Sequence, residues 1–230
     1  PMVYSLGVEV EEKIGGIVMN AYGALDFGSC LIHDLDDTRE IRFLTAGKPR
    51  AGTVLKIVDD NGKEVKPGDV GELTGCGPTC SSGYYGDLQA TREVWGEDGC
   101  YKTGDLARID ELGNLVIAGR KKDMIIRGGQ NVYPIEIENL LVLHPKVQNV
   151  AIVGYPEPVM GERACAFVIQ KPGQSFTFEE MVSFLKEQDI APYKLPERLE
   201  IVDKFPMAGD GQKTDKKMLQ KEISAKLKNK

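Results

Sequence analysis

The chain has 230 residues, of which 41% are hydrophobic and 28% are charged, and its formal net charge is -6. These values are ordinary for a globular protein that is long enough for one or two domains. The negative charge argues against a general nucleic-acid binder, because neutralising phosphates requires a basic surface. No apolar run approaches the roughly 18 residues that a membrane span requires. We therefore expect neither nucleic acid nor a membrane as a partner.

The five cysteines are Cys30, Cys76, Cys80, Cys100 and Cys165, and only Cys76 and Cys80 are close in sequence. Two histidines in the whole chain leave little for a metal site. We expect small, reduced thiols in buried positions and a cytoplasmic location. The chain starts without an initiator methionine or a signal-peptide pattern, in what reads as the middle of a domain. We therefore also expect a fragment of a longer protein.

Residues 1–119 show many short strand patterns separated by glycine-rich turns, which favour a small, distorted β-barrel. The turn at 59–62 ends in Asn61-Gly62, a strong hairpin signal because these residues accept positive φ. The predicted elements are a helix at 8–13 and strands at 15–20, 54–58, 65–73, 107–109 and 114–117.

Residues 120–230 alternate between helical and strand patterns, which predicts a compact α/β domain after a charged junction at 120–123. Pro134 suits the first position of a helix that stops before His144. Thr177 and Glu180 form a capping box, in which each side chain satisfies a free backbone N–H. The remaining predicted elements are strands at 150–153 and 164–169, a helix through Lys186 and a last helix at 216–227.

Three charged residues in separate motifs could act on one ligand. Asp105 follows Thr103-Gly104 in an expected loop at a strand end, where a glycine lets the backbone approach a ligand while the carboxylate accepts from a diol. Arg120 offers five fixed donors for hydroxyls or a phosphate. Lys213, on a glycine-rich loop, could bring a positive charge to a developing oxyanion and withdraw it later. Each has an ordinary alternative: a turn-forming aspartate, a surface ion pair and a solvated lysine.

A second glycine-rich segment, residues 127–131, precedes the helix at Pro134. We expect a loop before this helix whose backbone N–H groups could meet an anion or a narrow ligand. The alternative is a plain turn.

These motifs together resemble the C-terminal half of the adenylate-forming superfamily, which includes acyl- and aryl-CoA synthetases, peptide-synthetase adenylation domains and luciferases. The resemblance is strongest to aryl-acid activating ligases of the dihydroxybenzoate–AMP ligase type. The matching segments, in family order, are Gly71-Glu72-Leu73, Gly77-Pro78, Gly83-Tyr84-Tyr85, Tyr101-Lys102-Thr103-Gly104-Asp105, Gly119-Arg120, Gly128-Gly129-Gln130-Asn131-Val132-Tyr133-Pro134 and the final lysine loop.

The resemblance implies a large domain whose C-terminal part is residues 1–119, followed by a small mobile lid at 120–230. It implies that Asp105 binds both ribose hydroxyls of ATP, and that Lys122 is the hinge of the lid. Lys213 would bridge the substrate carboxylate and the α-phosphate. The other implied residues are Tyr22, Gly23, Asp26, Ile117 and Arg120 for ATP or AMP, Asp26 for a metal, and Gly128 and Gly129 for the pantetheine tunnel.

The implied reaction joins an acyl or aryl carboxylic acid to a thiol, with ATP, Mg²⁺ and CoA. The acid first attacks the α-phosphate to form an adenylate, and a thiol then displaces AMP after the lid rotates. Two alternatives remain. The thiol could be the phosphopantetheine of a carrier protein, or the chain could be a non-catalytic binding or regulatory module.

The chain departs from the family pattern at three places. Leu25 stands where a hydroxyl residue is usual, and Asp26 is one methylene shorter than the usual glutamate. Gln212 is an extra residue before Lys213. The phosphate-binding loop and most of the acid pocket, which belong to the N-terminal half of such enzymes, are missing, so we expect this chain alone not to form an adenylate.

Overall fold

A computed structural model describes residues 4–29, 31–209 and 213–228. The chain divides into two compact units, Pro1–Lys121 and Lys122–Lys230, so the boundary falls inside the charged junction at 120–123. Both units contain helices and strands, which confirms the predicted mixed α/β class. None of the helices within the described ranges has the length and hydropathy needed to cross a membrane.

The first unit is built around a four-stranded antiparallel sheet in the order β5-β6-β7-β8, and two short ladders pair β1 with β2 and β3 with β4. Its elements are α1 (Tyr4–Ile14), β1 (Gly23–Ala24), β2 (Gly28–Ser29), β3 (Leu31–Ile32), α2 (Arg39–Leu44), β4 (Lys48–Pro49), β5 (Val54–Val58), β6 (Gly71–Cys76), α3 (Leu88–Val94), β7 (Tyr101–Ile109) and β8 (Leu115–Arg120).

The predicted barrel is not closed in the part of the chain that the structure describes, because β5 and β8 are the two edges of an open sheet. The core on this sheet includes Phe27, Leu73 and Leu115, each at most 1% exposed. Burying a side chain of this size contributes about 1.5–3 kcal/mol relative to leaving it in water. These three residues come from a loop, a central strand and an edge strand, so they join the sheet to the segment before it.

The predicted strand at 15–20 is wrong: this segment has no strand partner and follows α1 as an extended loop. Both backbone groups of Val18 bond to side chains instead. The Val18 N–H donates to Glu11 at 2.9 Å, and the Val18 carbonyl accepts from Arg42 at 2.5 Å. Arg42 also forms an ion pair with Glu11, and both residues are buried. The apolar residues at 17–19 suggested a strand. The two side chains of a buried ion pair form the hydrogen bonds of the Val18 backbone instead of a neighbouring strand.

The second strand of the predicted hairpin begins later than expected, at Gly71 rather than at residue 65. The turn itself is present, since the Asp59 N–H donates to the Lys63 carbonyl at 2.8 Å and Gly62 has a φ of 78°. Pairing with β5 stops after a bridge at Glu64. Pro67 lacks an N–H, so the chain leaves the ladder there and returns as β6.

The second unit has a five-stranded sheet in the order β10-β9-β12-β11, with β13 added parallel to β12. A 3₁₀ helix, Lys121–Asp123, precedes it, and another, Pro192–Lys194, lies before its last strand. Its elements are β9 (Ile125–Arg127), β10 (Gln130–Val132), α4 (Pro134–Leu141), β11 (Val147–Glu157), β12 (Gly161–Gln170), α5 (Phe178–Glu187), β13 (Arg198–Ile201) and α6 (Lys216–Lys228).

Helices cover both faces of this sheet. Alternate residues of a strand point to opposite faces, so Ile152 of β11 joins a core with α4 and α5, whereas Val153 joins a core with α6. The fully buried strands explain the apolar runs at 150–153 and 164–169. The predicted helix that begins at Pro134 and the predicted helices at 177–186 and 216–227 are confirmed, as is the capping box of Thr177 and Glu180.

The capping box gives a test of the second unit. Thr177→Ala removes the hydroxyl that accepts from the Glu180 N–H at 3.2 Å. We expect the free energy of unfolding to fall by about 1 kcal/mol, measured by urea denaturation, because an unsatisfied helix N-terminus costs about that much. Thr177→Ser keeps the hydroxyl and should stay close to the wild type. Equal losses in both variants would contradict the assignment.

The buried ion pair gives a pH test of the first unit. Hydrogen bonds from Arg42, the Val18 N–H and Arg39 lower the pKa of Glu11 from 4.5 to about 2. A lowered pKa in the folded state means that ionised Glu11 stabilises folding above about pH 4.5 and that this contribution disappears as the pH falls through about 2. We expect Glu11→Gln to be less stable than wild type at pH 7, with the difference narrowing toward pH 2 in thermal unfolding monitored by circular dichroism. The same change at the exposed neighbour Glu12 is the control, and a difference that does not depend on pH would contradict the prediction.

Candidate functional site

The candidate site of the first unit is organised by a bulge in β7. The ladder with β6 shifts register there, leaving residues 103–105 opposite Leu73. Gly104 has a φ of 70°, a conformation that side-chain-bearing residues rarely adopt. The Thr103 hydroxyl donates to the Leu73 carbonyl at 2.8 Å and accepts from the Asp105 N–H at 3.0 Å. Asp105 therefore lies within a strand, which corrects the expectation of a loop at a strand end.

The Asp105 carboxylate is held at both of its oxygens. The Tyr22 hydroxyl donates to Oδ2 at 2.6 Å, and Arg120 Nε lies 2.7 Å from Oδ1. Arg120 stands directly opposite Asp105 in the register of β7 and β8. Asp105 is 7% exposed, whereas about half of the Arg120 side chain faces solvent. A carboxylate has about four acceptor positions, so two donors leave capacity for the hydroxyls of a ligand.

The segment that contains Gly23 and Asp26 is tied to the same sheet. A Cβ at Gly23 would lie 2.6 Å from the Gly28 carbonyl oxygen, so the β1–β2 ladder requires glycine there. Asp26 accepts from the Tyr101 hydroxyl at 3.3 Å, and its carbonyl accepts from the Ser81 N–H at 2.9 Å. Burial and then the negative charge of Asp26 raise the pKa of Tyr101. The phenol therefore stays protonated and available as a donor to Asp26.

Two further residues of the first unit have simpler surroundings. Ile117 lies on β8 and packs against the core cluster that includes Phe27 and Leu73. Leu25, which replaces the expected hydroxyl residue, is fully exposed. Within the described ranges, no three His, Cys, Asp or Glu side chains converge as metal ligands. A Mg²⁺ ion at Asp26 would therefore need its other oxygen ligands from a bound substrate or water.

Gly128 and Gly129 form a tight turn between β9 and β10, which is the plain turn that the sequence left open as the alternative. Arg127 pairs with Gln130, so the turn has two residues, and their φ values are 56° and 79°. Positive φ at both positions is typical of the type I′ turn. The Gly128 N–H donates to the Met160 carbonyl at 2.7 Å, so it is not available to an anion.

The two lysines of the second unit that the sequence singled out lie at the surface. Lys122 is exposed in the 3₁₀ helix Lys121–Asp123. Lys213 is also exposed, and its carbonyl accepts from the Ala208 N–H at 2.7 Å, which closes the base of its loop. Neither lysine side chain has an ion pair with another described residue. The predicted extra residue, Gln212, lies outside the described residues.

The structure thus brings Tyr22, Asp105 and Arg120 into direct contact, and it holds Asp26 through Tyr101. Lys122, Gly128, Gly129 and Lys213 belong to the second unit. Sequence reasoning gave no role to Tyr101 as the donor to Asp26 or to Thr103 as the side chain that closes the bulge. Their position next to Asp105 was the available signal, but their partners are 75 and 30 residues away.

Two family models match the chain: the AMP-binding enzyme model at residues 1–85 and the AMP-binding enzyme C-terminal domain model at residues 136–212. The chain is 37% identical over 211 residues to the medium-chain fatty-acid–CoA ligase of Escherichia coli, covering 91% of the chain and 37% of that protein. It is 41% identical over 194 residues to the 2,3-dihydroxybenzoate-AMP ligase of Bacillus subtilis, covering 84% of the chain and 36% of that protein.

The fold is also similar to a solved structure, that of ATP-bound MatB from Rhodopseudomonas palustris. The TM-score is 0.87 at 30% identity, covering 96% of this chain and 44% of MatB. The chain therefore spans between about a third and a half of the length of these relatives. The order of the sequence motifs and the two family models both indicate the same group of enzymes as these relatives. The chain belongs to the adenylate-forming superfamily of AMP-binding enzymes.

Proposed function

We propose that this chain is the C-terminal portion of an ATP-dependent acid–thiol ligase that forms AMP. The observation that carries the proposal is the buried Asp105 carboxylate, held by Tyr22 and Arg120 with acceptor capacity to spare. Stability alone does not explain this pair, because replacing a buried ion pair by well-packed apolar residues is often neutral or stabilising. A ribose diol is a ligand that such a carboxylate recognises.

The residues of the first unit fit an adenine nucleotide. Asp105 accepts from the two ribose hydroxyls, and Arg120 neutralises its charge and offers further donors at the half-exposed edge. Tyr22 adds an aromatic ring beside this acid, and Gly23 lets β1 pair closely with β2 directly after it. ATP supplies the activated α-phosphate and the pyrophosphate leaving group. Asp26 would offer a carboxylate oxygen to Mg²⁺, and the remaining oxygen ligands would come from the substrate or from water.

The second unit acts as the lid. Lys213 provides a positive charge to the carboxylate and α-phosphate while the acid is activated, and removing such a donor typically costs about 10²–10³ in rate. Lys122 is the hinge. Its neighbour Lys121 belongs to the first unit and is tied there to Glu72 at 2.8 Å and to Asp60 at 2.9 Å. A fixed residue directly before the unit boundary supports a pivot at Lys122.

The thiol reaches the adenylate beside the hairpin turn of Gly128 and Gly129. CoA is the acceptor that we propose, because one relative is a fatty-acid–CoA ligase. The other relative is an AMP ligase for 2,3-dihydroxybenzoate. A carrier-protein phosphopantetheine is the second candidate acceptor. The acid is an acyl or aryl carboxylate. The remaining N-terminal portion of the enzyme supplies the phosphate loop and most of the acid pocket, and the enzyme acts in the cytoplasm.

The nucleotide role is tested with Asp105→Asn in the longer enzyme. We expect the KM for ATP to rise about 10- to 100-fold, because a hydrogen bond to a charged group contributes about 1.5–3 kcal/mol. The measurement is acid-dependent exchange of pyrophosphate into ATP. Asp98→Asn is the matched control, since Asp98 is also ion-paired in this unit, with Lys56 at 2.6 Å. An unchanged KM for Asp105→Asn, or the same rise in the control, would count against the site. An absence of any exchange in the wild type would favour the non-catalytic alternative.

The turn in the second unit is tested with Gly129→Ala. A Cβ at Gly129 meets nothing within 4 Å, so the direct cost is the positive φ, about 1–2 kcal/mol of stability. Gly173→Ala is the matched control, because Gly173 has a φ of 75° and equally open surroundings. We expect Gly129→Ala alone to slow thioester formation about 10- to 100-fold, as a small misplacement of reactants does, with pyrophosphate exchange retained. Equal kinetics in the two variants would contradict the pantetheine role. Measuring thioester formation with CoA and, separately, with a holo carrier protein distinguishes the two acceptors.

A further inference from the structure

Cys76 and Cys100 lie opposite each other at one end of the β6–β7 ladder. Gly75 pairs with Tyr101, so the next pair outward in this antiparallel register is Cys76 with Cys100. Their Sγ atoms are 2.8 Å apart, and both thiols are free. Directly opposed residues of antiparallel strands have Cα atoms about 4.5–5.5 Å apart, which lies within the range of about 4.4–6.8 Å that a disulfide requires. The two sulfurs can therefore bond without moving the strands.

The two thiols differ in access. Cys100 is 4% exposed, whereas Cys76 is half-buried and lines a cavity of about 470 Å³. Burial, with the hydrogen bond and charge of Cys76, raises the pKa of Cys100 to about 12. A small reagent in the cavity therefore meets Cys76 first, and Cys100 is the thiol that resolves the product. Two of the causes that raise the pKa of Cys100 disappear once Cys76 has reacted.

We propose that Cys76 and Cys100 are a thiol–disulfide exchange site that takes a low-molecular-weight anionic disulfide of the glutathione type. The Cys76 thiolate attacks one sulfur of the reagent, forming a mixed disulfide and releasing one thiol. The Cys100 sulfur then attacks Cys76 Sγ, loses its proton and releases the second thiol. Two protein thiols are oxidised to one disulfide, and one small disulfide is reduced to two thiols.

The cavity favours this reagent. Arg92 and Glu97 line it together with Cys76, Cys80 and Trp95. The Arg92 guanidinium can bind a carboxylate of a glutathione molecule, and the Glu97 carboxylate can accept from its amino group. The bond would also connect two segments that hold Asp26. Tyr101, next to Cys100, donates to the Asp26 side chain, and the loop after Cys76 donates to the Asp26 carbonyl.

The test treats the purified chain with glutathione disulfide, quenches in denaturant with N-ethylmaleimide and maps the peptides by mass spectrometry. The chain has five cysteines, so we expect the number of maleimide adducts to fall by two. We also expect a cross-linked peptide pair in which Cys76 is joined to Cys100, reversed by dithiothreitol. The wild type alone gives this result, so it does not depend on whether a variant folds.

Two variants assign the sulfurs. Cys80→Ser should keep the cross-link to Cys100, and Cys76→Ser should abolish it, with circular dichroism to compare their folding. A bond between Cys76 and Cys80, a disulfide between two chains, a mixed disulfide that persists on Cys76, or five adducts after treatment would each overturn the proposal. The thiol of Cys165 is completely buried in the second unit and serves as the internal reference that stays reduced.

Discussion

A paired carboxylate inside a strand is the constraint on which the first unit depends. Asp105 is almost completely buried, and an ionised carboxylate without partners would strongly destabilise the fold at that position. Arg120 satisfies it from the adjacent strand, so the register of β7 and β8 is fixed by charge as well as by apolar alternation. The bulge at Gly104 makes this possible, because it inserts the residues that turn Asp105 toward Tyr22.

The same constraint relates structure to the proposed chemistry. A carboxylate that is held by two donors and still has free acceptor positions is already oriented before a ligand arrives. The neighbouring acid, Asp26, is held in a different way, by a phenol and by its own backbone. Both acids depend on β7, which provides Asp105 itself and the Tyr101 that binds Asp26. A single strand therefore positions the two carboxylates that we propose for the nucleotide and its metal.

The second unit uses one side chain to protect an exposed sheet edge. β11 is an edge strand, and its Ile152 N–H donates to Glu138 of α4 at 2.7 Å. The same Glu138 oxygen accepts from Lys216 at the start of α6, at 2.6 Å. Glu138 thus joins a helix from each face of the sheet and blocks strand addition at this part of the edge. This anchors the beginning of α6, directly after the loop that carries Lys213.

Local sequence signals predicted those elements whose stabilising groups are close in sequence. Pro134 at a helix start and the Thr177–Glu180 capping box act within one turn, and the apolar runs at 150–153 and 164–169 need only a sheet covered on both faces. The strand predicted at 15–20 failed for the opposite reason. The backbone of Val18 is satisfied by Arg42, 24 residues away, and no local pattern encodes that contact.

The sequence by itself determined the superfamily and the mixed α/β class, because the order and spacing of its motifs are those of the superfamily. It also supplied the residues that we propose for the site. Only the tertiary structure decided what these residues touch. It placed Tyr22 on Asp105 across 83 residues, brought Cys76 to Cys100 across 24, and committed the Gly128 N–H to Met160. Strand register and burial create such contacts, and both are set by pairing between distant segments rather than by local conformational preference.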